Sequence, residues 1–325
     1  MRGSFLLLLV SLVVFGGIGN SEGNALKMHF YKKSCSHAED IVRNVTWTLV
    51  AADHDLAPDL LRIHYHDCFV RGCDASVLLE SNGKEKPEKE ALPNLTLKGF
   101  DVIDKVKARV EEECPGVVSC ADVVALVARD AVSFQFQKPM WAVLTGRRDG
   151  VISRATEALS NLPSPFMDFP ALRQLFGAKR LDADDLVVLS GAHTIGEAHC
   201  AAFQKRLFNL TGKGDVDRTL DSNFAKSLRK ICPNPSNPAT TVDMDLGSGD
   251  TFDSNYYVNL LKNKALFHSD AALLQNNRAA KLARKLTNQK NFFNMFAKSI
   301  RKMGDIELLT GTAGEIRKKC SVVNS

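Results

Sequence analysis

Residues 60–76 read Leu60-Leu61-Arg62-Ile63-His64-Tyr65-His66-Asp67-Cys68-Phe69-Val70-Arg71-Gly72-Cys73-Asp74-Ala75-Ser76, and no other stretch of the chain concentrates as much chemistry. Pro58, just ahead, suits the first turn of a helix. In that helix Arg62 and His66 stand four apart and share a face. His64 points elsewhere, so a zinc-binding His-x-His pair of a metal-dependent hydrolase would need a strand here. On one face, an imidazole can take and return a proton while a guanidinium stabilises developing negative charge. Taken alone, the pair reads more simply as two satisfied or solvated side chains. The residues that follow sharpen it. Asp67, Asp74 and Ser76 offer hard oxygens around Gly72, a set that suits calcium once backbone carbonyls complete the shell.

A second histidine lies in Leu189-Ser190-Gly191-Ala192-His193-Thr194-Ile195-Gly196, after an apolar run. A lone histidine at a helix end is most simply structural. As an iron ligand it would need a carboxylate to accept its other ring N–H, and spacing does not choose among the many aspartates.

The remaining composition sets the context. The chain has 325 residues, 45% hydrophobic and 24% charged, enough for a large core around a buried cofactor. Arg2, the apolar run Phe5 to Phe15 and the small residues that follow form a signal peptide over residues 1–23, with cleavage between 19 and 25. The mature chain, 24–325, is expected to be one secreted domain with no membrane span. Its eight cysteines, Cys35, Cys68, Cys73, Cys114, Cys120, Cys200, Cys232 and Cys320, then suggest four disulfides, with the pairing left open. A zinc site would need a second pair to match Cys68 and Cys73, and none follows. The formal net charge of +5 is modest and interleaved, which excludes nucleic-acid binding but allows weak attraction to an acidic extracellular polysaccharide.

Helical periodicity dominates. Phe100, Ile103, Val106 and Val110 recur at three and four residues until Pro115-Gly116. Ser119 and Asp122 have capping-box spacing ahead of Val123 to Val132. Further helices begin at Pro170 and after Asp182, and Phe292, Phe293, Phe296, Ile300 and Met303 form a late stripe. Trp141 to Thr145 is the best strand candidate. The pattern is all-α, with long loops at 80–99, 146–168 and 233–253.

At this point the two histidine strings resemble the distal and proximal haem signatures of the secretory plant peroxidases, called class III. The resemblance runs from about Leu26 to Asn324. It includes Val118-Ser119-Cys120-Ala121-Asp122, Gly146-Arg147-Arg148-Asp149-Gly150, Asn161-Leu162-Pro163-Ser164-Pro165 and the segment Leu309 to Arg317. It implies the haem-peroxidase fold, with haem b between distal and proximal helical halves. It implies the pairings Cys35–Cys114, Cys68–Cys73, Cys120–Cys320 and Cys200–Cys232. His66 becomes the acid/base, Arg62 the charge stabiliser, and Asn94 the acceptor that orients His66, with Glu88 behind it. His193 becomes the iron ligand and Asp270 its partner. One calcium falls to Asp67, the Val70 and Gly72 carbonyls, Asp74 and Ser76. A second falls to Thr194, Asp245, Ser248, Thr251 and Asp253. Pro163 lies at the donor edge, and Asp122 with Arg147 forms a buried ion pair.

The implied reaction is oxidation of small phenols by hydrogen peroxide in two one-electron steps, by a monomer in the extracellular space or cell wall. Sequons stand at Asn44, Asn94 and Asn209, of which Asn94 should stay bare beside His66. Four departures touch donor preference. Tyr65 stands where the family usually has Phe, and Gln137-Lys138-Pro139 replaces Gly-Gly-Pro. Ala265 and His268 replace Gly and Gln, and Ala202 stands where some members place an aromatic. A non-enzymatic wall protein that binds polyanions and a zinc hydrolase are the competing classes. The visible spectrum separates the three.

Overall fold

The computed structural model describes residues 26–81, 83 and 85–325. The expected signal peptide and its cleavage zone lie outside the described residues.

The first half is built from α1 (Ala38–Ala52), α2 (Leu56–Arg71), α3 (Phe100–Glu113) and α4 (Cys120–Ser133). α4 is apolar on nearly every face and buried at all its positions, so it serves as the central helix against which α1, α2 and α3 pack. Its buried charges are compensated: Asp122 holds Arg147 at 2.8 Å and Arg129 holds Asp130 at 2.8 Å. The expected capping box on α4 forms only in part. Ser119 Oγ accepts from Asp122 N at 3.1 Å, but the Asp122 carboxylate does not reach back. It accepts instead from Arg147, from Gly146 N and from the Tyr31 hydroxyl, because a buried guanidinium is the stronger partner.

The second half contains α5 (Ala155–Asn161), α6 (Phe169–Ala178), α7 (Ala183–Leu189), α8 (Gln204–Phe208), α9 (Ser222–Ile231), α10 (Asn255–Leu261), α11 (His268–Ala272), α12 (Asn277–Leu286) and α13 (Gln289–Met303). Asp168 caps α6, and Asp182 with Asp185 closes a full capping box on α7. The α13 stripe buries Phe292, Phe296, Ile300 and Met303, while Phe293 is half-buried.

Three local expectations change. Trp141 to Thr145 is not a strand: among the described residues Thr145 makes only an isolated bridge with Lys27 and nothing else pairs along it. Among the described residues the strands are β1 (Glu197–His199) and β2 (Thr241–Asp243), antiparallel with Ala198 opposite Val242. The loop at 146–168 contains α5, the loop at 233–253 contains β2, and the loop at 80–99 contains two short turns of 3-10 helix, Glu88–Glu90 and Leu92–Asn94. Gln137 adopts φ 51°, a left-handed conformation that explains why glycine is usual there. Its side-chain amide offsets part of the strain by donating to Phe134 O at 2.6 Å.

Four disulfides staple the chain. Cys35–Cys114 joins the start of α1 to the end of α3, and Cys120–Cys320 joins α4 to the C-terminal segment. Cys200–Cys232 closes a small second core of Phe203, Leu207, Phe224 and Leu228. Cys68–Cys73 spans only five positions, so it shapes a loop more than it restrains the unfolded chain. Among the described residues no helix is long and apolar enough to cross a membrane.

Candidate active site

His66 is carried on the inner face of α2 and is 6% exposed. Its Nδ1 lies 2.6 Å from Asn94 Oδ1. An amide oxygen only accepts, so Nδ1 carries the proton and Nε2 is left as the basic nitrogen. Burial, and then the nearby Arg62 charge, push His66 down to about 3, so the ring is neutral at physiological pH. Asn94 is fixed in turn: its Nδ2 donates to the Glu88 backbone carbonyl at 2.8 Å. Glu88 thus stands behind Asn94 through its backbone carbonyl, and its carboxylate does not face the amide. Neither of its oxygens has a hydrogen bond among the described residues, and burial raises it to about 8.

Arg62 is anchored on the loop that carries Asn94. Its two terminal nitrogens donate to Thr96 O, Pro93 O and Thr96 Oγ1 at 2.9–3.0 Å. Nε has no partner among the described residues. His64 takes no part: it is buried against Cys68 Sγ at 3.6 Å and pushed down to about 3 by burial and by Arg147. A His64–His66 zinc pair is not formed. Tyr65 lies edge-on to His66, with ring centres 5.2 Å apart, and against Phe69 at 4.6 Å.

His193 sits in the tight turn Ser190–Thr194 that ends α7. Gly191 makes that turn possible: a Cβ there would lie 2.4 Å from the Tyr257 hydroxyl and 2.5 Å from the Phe292 ring. His193 Nδ1 lies 2.8 Å from Asp270 Oδ1, which leaves Nε2 with its lone pair free. Phe267 stands edge-on to the imidazole at 5.3 Å. Phe267 is held by Arg206, buried on Asp217 at 2.7 Å, whose NH1 takes the carbonyls of Ala265, Leu266 and Phe267. A histidine with this tautomer and a carboxylate behind it has the donor set expected of a haem ligand.

The oxygen ligands expected around each histidine also gather. Thr194 Oγ1 lies 3.1 Å from Asp245 Oδ2, 3.2 Å from Asp253 Oδ1 and 3.5 Å from Thr251 O, while Ser248 Oγ donates to Asp253 Oδ2 at 2.6 Å. Near His66, Asp67 Oδ1 and Ser76 Oγ are buried without partners among the described residues, and burial and Asp74 raise Asp67 well above the carboxylate range. Orphaned oxygens of this kind suit a hard cation. Gly72 stands at φ 88°, and a Cβ there would lie 2.5 Å from Glu307 O. The Val70 carbonyl accepts from Asn161 Nδ2 and Lys179 Nζ, both at 3.1 Å. Among the described residues no three His, Cys, Asp or Glu side chains form a metal cage on their own. Each cluster depends on hydroxyls and carbonyls.

The family model for Peroxidase matches residues 42–289. Peroxidase 24 of Arabidopsis thaliana is 51% identical, over 98% of this chain and 96% of that protein. Peroxidase 56 of the same plant is 49% identical over 98% and 97%, and Peroxidase 1 of Oryza sativa subsp. japonica is 50% identical over 91% and 92%. The chain is a class III plant peroxidase. It is therefore a haem enzyme that consumes hydrogen peroxide.

In this peroxidase the expected donor-edge residue, Pro163, is half-buried, and its segment is tied to the proximal side by Ser269 N donating to Pro165 O at 3.0 Å. Exposed apolar side chains lie along the same stretches: Leu92 and Leu95 flank Asn94, and Phe166 follows Pro165. Sequence reasoning passed over these, although two leucines beside a polar motif in a loop were a usable signal. It also passed over Tyr256, whose hydroxyl donates to Asp270 Oδ1 at 2.9 Å, and over Arg206; neither has a local signature. Of the sequons, Asn44 and Asn209 are exposed, while Asn94 is buried beside His66.

Proposed function

We propose that this peroxidase oxidises small phenolic donors with hydrogen peroxide, two phenols each losing one electron and one proton while the peroxide becomes two waters. The observation that carries the reading is the His66–Asn94 pair, which sets a neutral imidazole with its basic Nε2 free. His66 takes a proton from the incoming peroxide and returns it to the departing oxygen. Arg62, fixed through Thr96 and Pro93, offers positive charge as the O–O bond breaks. Asn94 and Glu88 act by positioning. Haem b, when bound, supplies the redox centre, held by His193 with Asp270 behind it. The donors approach past Pro163 and the exposed leucines.

Two calcium ions complete the reading. One is held by Asp67, Asp74, Ser76 and the Val70 and Gly72 carbonyls. The other is held by Thr194, Asp245, Ser248, Thr251 and Asp253. Asp67 adjoins His66 and Thr194 adjoins His193, so each ion would restrain a working side chain. We also infer one catalytic domain over 24–325, released after loss of 1–23, monomeric, and secreted to the extracellular space or cell wall. There it would serve wall-polymer chemistry, peroxide removal and stress responses, with weak affinity for wall polyanions.

The test is rapid mixing of the haem-loaded enzyme with peroxide and then a panel of purified phenols. Stoichiometric consumption of two phenols per peroxide is expected. Peroxide reaction without phenol turnover would overturn the donor assignment.

A further inference from the structure

The chain has four tyrosines, Tyr31, Tyr65, Tyr256 and Tyr257, and their hydroxyls differ in what they meet. Tyr31 donates to Asp122 at 2.6 Å, but that carboxylate is already bound by Arg147 at 2.8 Å. Tyr65 Oη has no partner among the described residues. Tyr257 donates to the backbone carbonyls of Val187 and Val188 at 3.0 and 3.1 Å. Tyr256, on α10, donates to Asp270 Oδ1, on α11, at 2.9 Å. Among the described residues no Lys or Arg is paired with that carboxylate, whose other oxygen is buried without a partner.

The rings sort the same four residues. Tyr256 stands edge-on to His193, with ring centres 6.1 Å apart and planes at 76°. Tyr257 is one step further away, 4.9 Å from Tyr256. Tyr65 lies against His66, and Tyr31 against Phe30. Loss of an electron turns a phenol into a strong acid, so its oxidation is easiest where a base takes the proton at the same moment. A backbone carbonyl is too weak a base to keep that proton. A carboxylate held by a guanidinium already has its charge balanced. Asp270 is better placed, because taking the proton removes a charge from the protein interior. Tyr256 therefore combines two features that the other three tyrosines do not: a ring beside His193 and a carboxylate on its hydroxyl.

We propose that Tyr256 is an internal electron donor: when peroxide has oxidised the haem and no phenol is at hand, Tyr256 gives the haem one electron and passes its hydroxyl proton to Asp270 Oδ1. The proposal rests on the reading of His193 as the iron ligand. The step balances. Hydrogen peroxide supplies the oxidising equivalent, and the haem is reduced by one electron. The O–H bond of Tyr256 breaks, an O–H bond forms on Asp270, and the carboxylate goes from charged to neutral. Tyr256 is left as a neutral phenoxyl radical. A phenol that arrives later reduces the haem, and Tyr256 regains its electron and proton by the same route. The radical stays where it forms. Tyr257 cannot take it over, since its hydroxyl meets carbonyls that do not accept the proton. Tyr256 is 2% exposed, so it cannot couple to a second phenol. One oxidising equivalent is thus stored in the interior, away from the exposed side chains at the donor edge.

The test mixes the haem-loaded enzyme with an equimolar amount of hydrogen peroxide and no phenol, and records the optical spectrum and the electron paramagnetic resonance of the frozen sample. The parent should show a tyrosyl signal that changes shape when ring-deuterated tyrosine is incorporated. The signal should carry a hydrogen-bonded proton that exchanges in deuterium oxide, and a phenol added before freezing should abolish it. Tyr256→Phe should lose the signal. The triple variant Tyr31→Phe, Tyr65→Phe, Tyr257→Phe leaves Tyr256 as the sole tyrosine and should keep it, which identifies Tyr256 even if Tyr256→Phe takes up no haem. Equal yield in haem-loaded Tyr256→Phe, loss of the signal from the haem-loaded triple variant, or a parent signal indifferent to labelled tyrosine would overturn the proposal. A normal optical response to peroxide with no tyrosyl signal in the parent would overturn it and leave the enzymatic reading standing. No optical response to peroxide at all would overturn both.

Discussion

The Tyr256 hydroxyl donates to Asp270 through Oδ1, the same carboxylate oxygen that faces His193 Nδ1. One oxygen thus serves two donors, while Asp270 Oδ2 is buried without a partner among the described residues. A hydrogen bond to a carboxylate draws charge from it, so Tyr256 weakens the pull of Asp270 on the His193 N–H. Tyr256→Phe should strengthen that pull and make the imidazole a more electron-rich ligand. The expected result is a lower reduction potential for the bound haem, by roughly a few tens of millivolts for one hydrogen bond's worth of free energy. A potentiometric titration checks it; an unchanged or raised potential would show that Tyr256 only fills space.

Removing the acid/base should be far more damaging. His66→Ala is expected to slow the bimolecular reaction with peroxide by at least about 10²-fold, the usual general acid–base contribution, with haem retained. Asn94→Ala should give a smaller loss, because the imidazole remains but its tautomer and angle are no longer fixed. Stopped-flow rates near those of the parent in His66→Ala would remove it from the mechanism.

The carboxylates around the two calcium loops predict a pH dependence. Burial raises Asp74 and Asp245 each to about 6 and Glu88 to about 8. In the unfolded chain such groups release their protons near the ordinary carboxylate value of about 4. Folded pKa values above unfolded ones mean that the folded state binds the extra protons between the two. Their contribution to stability is fully present below about pH 4 and is lost as pH rises through 6 and then 8. Bound calcium would compensate the charged forms. The melting-temperature gap between calcium-loaded and chelator-treated enzyme should therefore widen from pH 5 to pH 8. A gap that stays constant across that range, with metal removal verified by elemental analysis, would mean the ion does not sit on these carboxylates.

The parts of the site that were legible in sequence are those fixed by short spacing within one element. Arg62 and His66 share a helix face, and His193 and Thr194 adjoin in one turn, so local geometry decides them. The parts that were not legible depend on tertiary packing. Tyr256 reaches Asp270 from α10, and Arg206 reaches three carbonyls of 265–267 from α8; no local pattern announces either. Glu88 was placed near Asn94 correctly, but which of its groups faces the amide is a matter of backbone turn geometry that residue type does not encode. The donors on the Val70 carbonyl were not legible either, since Lys179 and Asn161 arrive from elements far along the chain. The strand expected at Trp141 to Thr145 had the right alternation but no partner, and pairing is a property of two segments.

Tyr65 is the departure nearest the chemistry, and its packing favours a wall of the pocket over a redox role. A phenol beside the distal histidine invites the idea that it gives up an electron when peroxide is present and no donor is. Oxidising a phenol to a neutral radical also requires a base for its proton. Tyr65 Oη has no hydrogen-bond partner among the described residues, so no protein group stands ready to take its proton, and partial burial raises its pKa. The ring instead packs on Phe69 and edge-on to His66, as a wall. Tyr65→Phe should therefore leave the electron paramagnetic resonance signal after peroxide alone unchanged in yield. It should also leave the melting temperature undiminished, where loss of a hydrogen-bonded hydroxyl would cost about 1 kcal/mol. A clear drop in radical yield, with slower loss of the peroxide-oxidised spectrum in the Phe variant, would show that the proton finds an acceptor after all and that Tyr65 is redox-active.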